Sequence, residues 1–254
     1  METRKNICLE VCVDSFGSAL AAIRGGADRL ELCDCLLVGG LTPDPLLLRQ
    51  VRDVSDIPVR CLMRPRFGDF LYEEDEIRLM ERQIGALRDA GADGFVIGCL
   101  TPAGELDMVR MGRLVDAAGG CGLTLHRAFD VSRDGVATAM AAAELGIDTI
   151  LTSGQACDCW TGRECIGRLL ELKLPLTIMA GGGVNADVMG KLLETYPLEA
   201  FHMSGKVTKD SGMIYRRQDV PMGLPGLDEF SVWKTDEEKV RAAVRVIEGY
   251  CHVQ

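Results

Sequence analysis

The sequence lacks the features of several large protein classes. It has no basic excess, because 28 lysine and arginine residues stand against 38 aspartate and glutamate residues, for a formal net charge of −10. Such an acidic surface argues against nucleic acid and anionic membranes as partners. No apolar run approaches the ~18 residues of a membrane-spanning helix. The first residues enter a strand pattern almost at once, which predicts that no signal peptide is present.

The sequence also has no CxxC pair and no zinc-finger grouping of cysteine with histidine, although it contains 11 cysteines. An odd number of cysteines in a chain of 254 residues argues against a secreted disulfide scaffold. We therefore predict reduced thiols and a cytoplasmic protein. Two CxC pairs, Cys33 with Cys35 and Cys157 with Cys159, are either incidental or able to hold a soft ion such as Cu(I).

Short apolar segments alternate with amphipathic stretches along the chain, a pattern typical of βα units. The strand patterns lie near residues 7–13, 28–33, 58–63, 94–98, 122–127, 148–152, 175–180 and 199–203. The helical patterns lie near residues 15–25, 43–53, 73–90, 107–118, 132–145, 161–172, 185–194 and 236–249. Eight βα units in about 250 residues predict a (β/α)8 TIM barrel, which we expect to form a single domain over residues 1–254. A doubly wound sheet is the alternative, but no GxGxxG motif follows the first strand.

The segment 204–235 interrupts this alternation after the eighth strand. It is long, polar and rich in glycine and proline, and loops of that length are usually functional or packed against something. It also holds apolar side chains that cannot all lie free in water, namely Met213, Ile214, Tyr215, Met222, Leu224, Leu227, Phe230 and Trp233. We predict that part of the segment contributes to a homodimer contact. The alternative is a lid over the mouth of the barrel.

Acidic residues stand in the middle of the first two strand patterns. Side chains alternate along a strand, so Glu10 and Cys12 share one face of the first strand, and Glu31 and Cys33 share one face of the second. The opposite faces are apolar and suit the surrounding helices, which places these four side chains in the barrel interior. Because a buried, unpaired carboxylate is costly, such a placement usually has a functional reason.

Further polar residues stand where other strands end, at the face that carries the active site in TIM barrels. These are Arg64 and Arg66 after the third strand, His126 at the fifth, Gly182 and Gly183 after the seventh, and His202 and Lys206 at the eighth. The glycines let backbone N–H groups approach an anion, and the helix that follows adds a favourable dipole. The structural alternatives are an ion-pair network that only fills the barrel and a glycine turn without a ligand.

This arrangement predicts an enzyme of lyase, isomerase or hydrolase type that acts on a small anionic metabolite, phosphorylated or carboxylated. The residues that would transfer protons are Glu10, Glu31, His126 and His202. The residues that would hold the anion are Arg64, Arg66, Gly182, Gly183 and Lys206. An interaction scaffold is disfavoured, because so many polar groups converge on one mouth.

Several motifs together give the chain a resemblance to a known family. They are LEVCVDS, GADRLELC, GGLTP, MRPR, LHRAFD, TSGQ, AGGGV and the late SGM-Y block. With them the chain resembles the CutC family, described as copper-homeostasis proteins with a TIM-barrel fold, over nearly its whole length. The resemblance implies that Cys12 and Cys33 match the cysteines proposed as the family's Cu(I) ligands. Adjacent strands lie ~4.8 Å apart, so two inward thiolates on neighbouring strands would be able to share one Cu(I) ion.

Overall fold

Eight parallel strands close into a barrel in the computed structural model, which describes residues 7–217, 220, 222–223 and 226–253. The strands are β1 (Cys8–Val13), β2 (Arg29–Leu32), β3 (Val59–Leu62), β4 (Gly94–Ile97), β5 (Gly122–Leu125), β6 (Thr149–Thr152), β7 (Thr177–Ala180) and β8 (Ala200–Met203). The helices are α1 (Phe16–Gly25), α2 (Pro45–Arg52), α3 (Glu74–Asp89), α4 (Met108–Ala118), α5 (Gly135–Glu144), α6 (Arg163–Glu171), α7 (Ala186–Leu193) and α8 (Glu237–Val253). Among the described residues, no helix combines the length and the apolar character needed to cross a membrane.

The TIM-barrel prediction is confirmed. The sheet closes because β1 pairs with β2 on one side and with β8 on the other, which excludes the open, doubly wound alternative. Each predicted strand and helix is present, with ends that differ by a few residues. The helix predicted over 132–145 begins only at Gly135, because the Asp134 side chain accepts the N–H groups of Val136 and Ala137 and caps the first turn there.

Side chains of the barrel strands alternate between two environments, as the sequence predicts. Leu9 and Val11 of β1 pack into the large core between the strands and the helices. The intervening residues point into the barrel, where two small apolar clusters fill the space between the polar groups. One cluster contains Cys12, Cys33, Leu62 and Val96, and the other contains Leu151, Met179 and Ala200 with Cys8 packed against them.

A Gly-x-Asp motif precedes β2, β4 and β6, at the N-terminal ends of the barrel strands. Its glycines have φ values in the left-handed region that favours glycine after a helix, and they are Gly26 (93°), Gly91 (102°) and Gly146 (75°). Its aspartates each accept a backbone N–H near the start of the preceding strand, in the pairs Asp28 with Leu9, Asp93 with Val59 and Asp148 with Leu123. The motif therefore ends a helix and connects two neighbouring strands by a hydrogen bond.

The segment after β8 contains an antiparallel hairpin that the sequence did not predict. Its strands are β9 (Lys206–Asp210) and β10 (Ser231–Thr235). The N–H of Thr235 donates to the Ser18 hydroxyl of α1, so the base of the hairpin packs on its own barrel. At the start of β9, the Lys206 ammonium lies 3.6 Å from the centroid of the Trp233 ring, beside the mouth of the barrel.

The tip of this hairpin exposes apolar side chains, and the homodimer stays a prediction. Met213, Ile214 and Tyr215 are 59%, 100% and 67% exposed, whereas the predicted contact residue Leu224 lies outside the described residues. Because three consecutive apolar side chains in water are unfavourable, we expect light scattering at micromolar concentration to give twice the mass of one chain. The Ile214→Glu variant should shift the protein toward the mass of one chain. A single-chain mass for the unmodified protein would remove the dimer.

Candidate functional site

A cavity of about 420 Å³ opens at the C-terminal ends of the barrel strands. Its lining includes most of the residues that the sequence predicted for the site, namely Cys12, Glu31, Arg64, His126, Gly182, Gly183, His202 and Lys206. Glu10 lies beneath this lining, fully buried and hydrogen-bonded to His202. Cys33 and Arg66 lie outside the described lining, so the cavity brings together only some of the predicted site residues.

Strand register holds Glu10 between a guanidinium and an imidazole. Glu10 pairs with Arg29 across β1 and β2, and with His202 across β1 and β8. The Arg29 Nε donates to Glu10 Oε2 at 2.5 Å, and the His202 Nδ1 donates to Oε1 at 2.9 Å. Burial raises the pKa of Glu10, but the hydrogen bond from His202 and the charge of Arg29 outweigh burial and lower the pKa to about 2. Glu10 is therefore ionised, and it orients His202 rather than taking up a proton.

His202 connects buried Glu10 to the cavity. Its Nε2 lies 3.6 Å from Glu31 Oε2. Burial lowers the pKa of His202, but the acidic groups around it, Cys12 and Glu31 first, hold that pKa well above its usual value. Burial raises the pKa of Glu31, and the negative charge of Glu10 raises it further. The charge of His202 lowers this pKa but does not offset the other two effects. Two carboxylates that flank one histidine and have pKa values shifted in opposite directions are typical of acid–base sites.

The same residues form a group that can ligate a metal ion. Cys12, Glu31 and His202 each bring one ligand atom to within 4.8 Å of the others. Cys12 and Glu31 meet because they are directly paired across β1 and β2. The hydrogen bond between His202 Nδ1 and Glu10 leaves Nε2 directed at the other two ligands, an arrangement common around metal-bound histidine. A thiolate with an imidazole suits copper, so the donor set fits a Cu(I) ion.

Cys33, which the sequence and the family resemblance pair with Cys12, lies in the same small apolar cluster as Cys12 but outside this group of three ligands. The register places Glu31, not Cys33, opposite Cys12. Cys33 is fully buried, and its Sγ lies 3.4 Å from Glu31 Oε2. Burial and the charge of Glu31 raise the pKa of the Cys33 thiol well above its usual value. Cys33 is therefore a protonated thiol that donates to Glu31 from behind the cavity wall.

Arg64 lies buried on the β3 side of the mouth, and its charge has no carboxylate partner among the described residues. Its Nη1 donates to the carbonyl oxygens of Val38 (2.9 Å) and Gly40 (3.0 Å), and its Nη2 to that of Gly68 (3.0 Å). Its Nε is buried and has no hydrogen-bond partner in the part of the chain that the structure describes. The guanidinium is thus rigidly held by neutral groups that leave its charge uncompensated.

His126 lies next to Arg64 and is neutral. Its Nδ1 accepts the N–H of Ala128 at 3.1 Å, so the proton of the neutral ring is on Nε2. This nitrogen is buried and has no partner within residues 7–217, 220, 222–223 and 226–253. Burial and then the charge of Arg64 lower the pKa of His126 to about 3. The Phe70 ring lies against both side chains, 4.7 Å from the His126 ring and 5.4 Å from the Arg64 Cζ. His126 therefore suits hydrogen-bond donation better than the proton transfer predicted for it.

Gly182, Gly183 and Lys206 form what we call the glycine corner, on the β7 and β8 side of the mouth. The φ values of 83° at Gly182 and 76° at Gly183 are left-handed and require glycine. Arg127 also lines the cavity there, held by Asp130 (2.7 Å) and by the Ser153 hydroxyl (2.9 Å). Arg127 was not among the predicted site residues, because it lies beyond β5, which ends at Leu125, where alternation no longer gives the direction of a side chain. Its presence in the LHRAFD motif was the available signal.

Arg66 points away from the mouth because local partners occupy its guanidinium. It pairs with Glu76 at 2.7 Å and with Asp69 at 3.2 Å, and its Nη2 donates to the Leu71 carbonyl at 2.8 Å. It also lies over the Tyr72 ring. These contacts order the loop between β3 and α3. Arg66 therefore stabilises this loop and does not line the cavity.

Comparison with known proteins identifies a family. The model of the CutC family matches residues 7–207. The family protein CutC of Histophilus somni (strain 2336) is 39% identical over 241 residues, which cover 94% of this chain and 99% of the relative. The human copper homeostasis protein cutC homolog is 41% identical over 235 residues, covering 92% of this chain and 86% of the relative.

A solved structure agrees with the sequence comparison. The crystal structure of the putative copper homeostasis protein CutC from Streptococcus agalactiae superposes with a TM-score of 0.74 at 29% identity. The alignment covers 78% of this chain and 98% of the streptococcal one. Both kinds of comparison therefore point to the same family as the motifs in the sequence.

Proposed function

The chain belongs to the CutC family, and from that premise we propose that it acts in copper homeostasis by binding Cu(I) through Cys12 and His202. The observation that carries the proposal is the convergence of Cys12, Glu31 and His202 to within 4.8 Å on the wall of an open cavity. The names of the human and streptococcal relatives, which refer to copper homeostasis, support the choice of metal.

The groups behind the ligands support the proposal. Ionised Glu10 fixes the ring orientation of His202 through Nδ1, and Arg29 in turn holds Glu10. Such outer partners make a ligating histidine more basic and keep its other nitrogen directed at the metal. Cys33 contributes its hydrogen bond to Glu31 and stays a thiol, because a buried thiol with a raised pKa is a poor metal ligand.

We also propose a cytoplasmic setting for this site. The 11 cysteines all lie in the described part of the chain, and none of them forms a disulfide. Reduced thiols and Cu(I) both require a reducing compartment, which the cytoplasm provides. Cys12 is then available as a ligand without prior reduction.

Competition with a chromogenic Cu(I) chelator under anaerobic, reducing conditions tests the proposal. We expect the protein to withdraw one Cu(I) ion per chain from the chelator. The Cys157→Ser variant is the matched control, since Cys157 is exposed on the loop after β6 and outside the described lining of the cavity. Copper binding that disappears with Cys157, or no competition at all, would contradict a site in the mouth.

A second candidate is an enzyme that acts on a small anionic metabolite. The observation that favours it is the pair of carboxylates with opposite pKa shifts on His202, in a cavity that also exposes cationic groups. In this function Glu31 and His202 exchange a proton with the substrate, and the glycine corner holds a phosphate group. A copper-storage protein has no need for cationic groups around its metal.

Inorganic phosphate is expected to stabilise the protein through the glycine corner. A ligand that binds only the folded state, at a concentration of ~100 times its Kd, should raise the melting temperature of the protein by about 5 °C. The Lys206→Met variant should lose most of this shift, because it removes the positive charge of a residue that lines the cavity together with Gly182 and Gly183. Differential scanning fluorimetry measures the shift, with Arg66→Ala as the control for a general loss of positive charge. An equal shift in wild type and Lys206→Met would indicate non-specific salt stabilisation.

A further inference from the structure

We infer that the β3–β5 wall of the mouth is a subsite for a carboxylate group, built from the Arg64 guanidinium and the His126 Nε2–H. The inference rests on the second function proposed above and narrows its substrate class. The molecule would carry a carboxylate at one end and a second anionic group, such as a phosphate, at the other.

Arg64 carries a buried positive charge at the mouth of the barrel. Arg64 is only 9% exposed, lines the cavity and has no carboxylate partner in the described part of the chain. A buried cation without a counter-charge is costly unless another group compensates it. Three backbone carbonyls take three of the roughly five N–H groups of a guanidinium, and the Nε–H stays unpaired. An anion that enters the cavity would supply the missing counter-charge and acceptor.

His126 determines which anion fits. Its Nδ1 is occupied by the Ala128 N–H, so its Nε2–H is a fixed donor, and its ring adds no positive charge. Together with the Nε of Arg64 the wall offers one positive charge and two buried nitrogen atoms that have no hydrogen-bond partner in the described part of the chain. A carboxylate has one negative charge and two acceptor oxygens, which match this set. A doubly charged phosphate would leave charge uncompensated here, whereas the glycine corner offers Lys206 together with the backbone at Gly182 and Gly183.

The two subsites lie on opposite sides of the barrel. Arg64 follows β3 and the glycines follow β7, which are four strands apart in the eight-stranded ring. Cys12, Glu31 and His202 belong to β1, β2 and β8, so the acid–base groups lie on the arc between the two subsites. A molecule with an anionic group at each end would therefore present its middle to Glu31 and His202.

Phe70 controls access to the carboxylate subsite. The two unpaired nitrogens are buried, and the Phe70 ring lies against both side chains that carry them. Phe70 is half-buried on the loop between β3 and α3, outside regular structure, so its ring is able to move without breaking a helix or a strand. A carboxylate reaches both N–H groups when this ring moves aside.

The inference is tested on metal-free protein with malonate as the probe and malonamide as its neutral counterpart. In protein labelled with ¹⁵N-histidine, we expect the His126 Nε2–H tautomer before addition and a shift of the Nε2–H signal on addition of malonate only. We expect His126→Leu to weaken malonate binding by about tenfold. His126→Gln, which keeps an N–H donor in a similar place, should stay within about threefold of wild type. Arg78→Ala, at an exposed position of α3 outside the described lining of the cavity, is the control for a loss of positive charge.

The outcomes separate this inference from the function it rests on. A His126 signal that saturating malonate leaves unchanged overturns the subsite even if His126→Leu does not fold. Equal malonate affinity in wild type and His126→Leu overturns it as well. If phosphate still stabilises the protein through Lys206 in that case, the small-anion function stands without the carboxylate end. If malonate shifts the signal and phosphate has no effect, the carboxylate subsite stands and the glycine corner fails.

Discussion

Replacing Arg29 by methionine is expected to lower the free energy of unfolding by about 3–5 kcal/mol, because it leaves a buried carboxylate without its cation. The Glu10 side chain is fully buried and Arg29 is 16% exposed, so water cannot replace the lost partner. Arg29 also contacts the Met179 sulfur, and a methionine keeps much of the apolar stem packed. Urea denaturation followed by circular dichroism measures the loss from the shift of the midpoint.

A double-mutant cycle shows whether the loss comes from the ion pair. Glu10→Gln removes the charge but keeps an oxygen that accepts from His202. Combined with Arg29→Met, it should cost less than the sum of the two single changes by about 2 kcal/mol, as expected for residues in direct contact. A loss below about 1 kcal/mol for Arg29→Met alone would match an exposed ion pair instead, and would contradict the buried pair described above.

Cys12→Ser is expected to weaken Cu(I) binding by about 100-fold or more, because Cu(I) prefers soft thiolates and Cys12 supplies the only thiol in the described lining of the mouth. Cys33→Ser should change the affinity by no more than about threefold, since the hydroxyl still donates to Glu31. Glu10→Gln should cost about tenfold by loosening the orientation of His202. Competition with a Cu(I) chelator measures all three on variants whose melting curves show that they fold.

These variants also separate the two arrangements that the sequence and the structure suggest. The sequence and the family resemblance pair Cys12 with Cys33, and that pair predicts equal losses in Cys12→Ser and Cys33→Ser. The structure instead joins Cys12 to His202. Equal losses would therefore restore the two-thiolate site, whereas unchanged affinity in both variants would move the metal elsewhere, with Cys157 and Cys159 as the next candidates.

The fold could be predicted because strand patterns and helix ends are local. Alternation at Glu10 and Glu31 gave the faces of β1 and β2 correctly, and glycines such as Gly26 marked the ends of helices. The hairpin of β9 and β10 could not be predicted in the same way. Its strands pair across the 211–230 segment, and Trp233 finds Lys206 only after this long loop closes.

The site was predicted only in part, because alternation determines the face of a strand but not its neighbour. Cys12 faces inward as predicted, yet the stagger of the barrel sets Glu31 and not Cys33 opposite it. Alternation also ends with the strand, so it failed for Arg66 and Arg127, whose directions depend on loop contacts. The sequence could likewise not show that Arg64 has no carboxylate partner among the described residues, since that depends on every neighbour in space.

The X-ray absorption spectrum at the copper edge of the Cu(I)-loaded protein identifies the atoms bound to the metal. We expect one sulfur ligand and at least one imidazole nitrogen, and we expect Cys33→Ser to leave this spectrum unchanged. Two sulfur ligands without an imidazole, or a spectrum that keeps its sulfur ligand in Cys12→Ser, would contradict a copper site formed by Cys12 and His202.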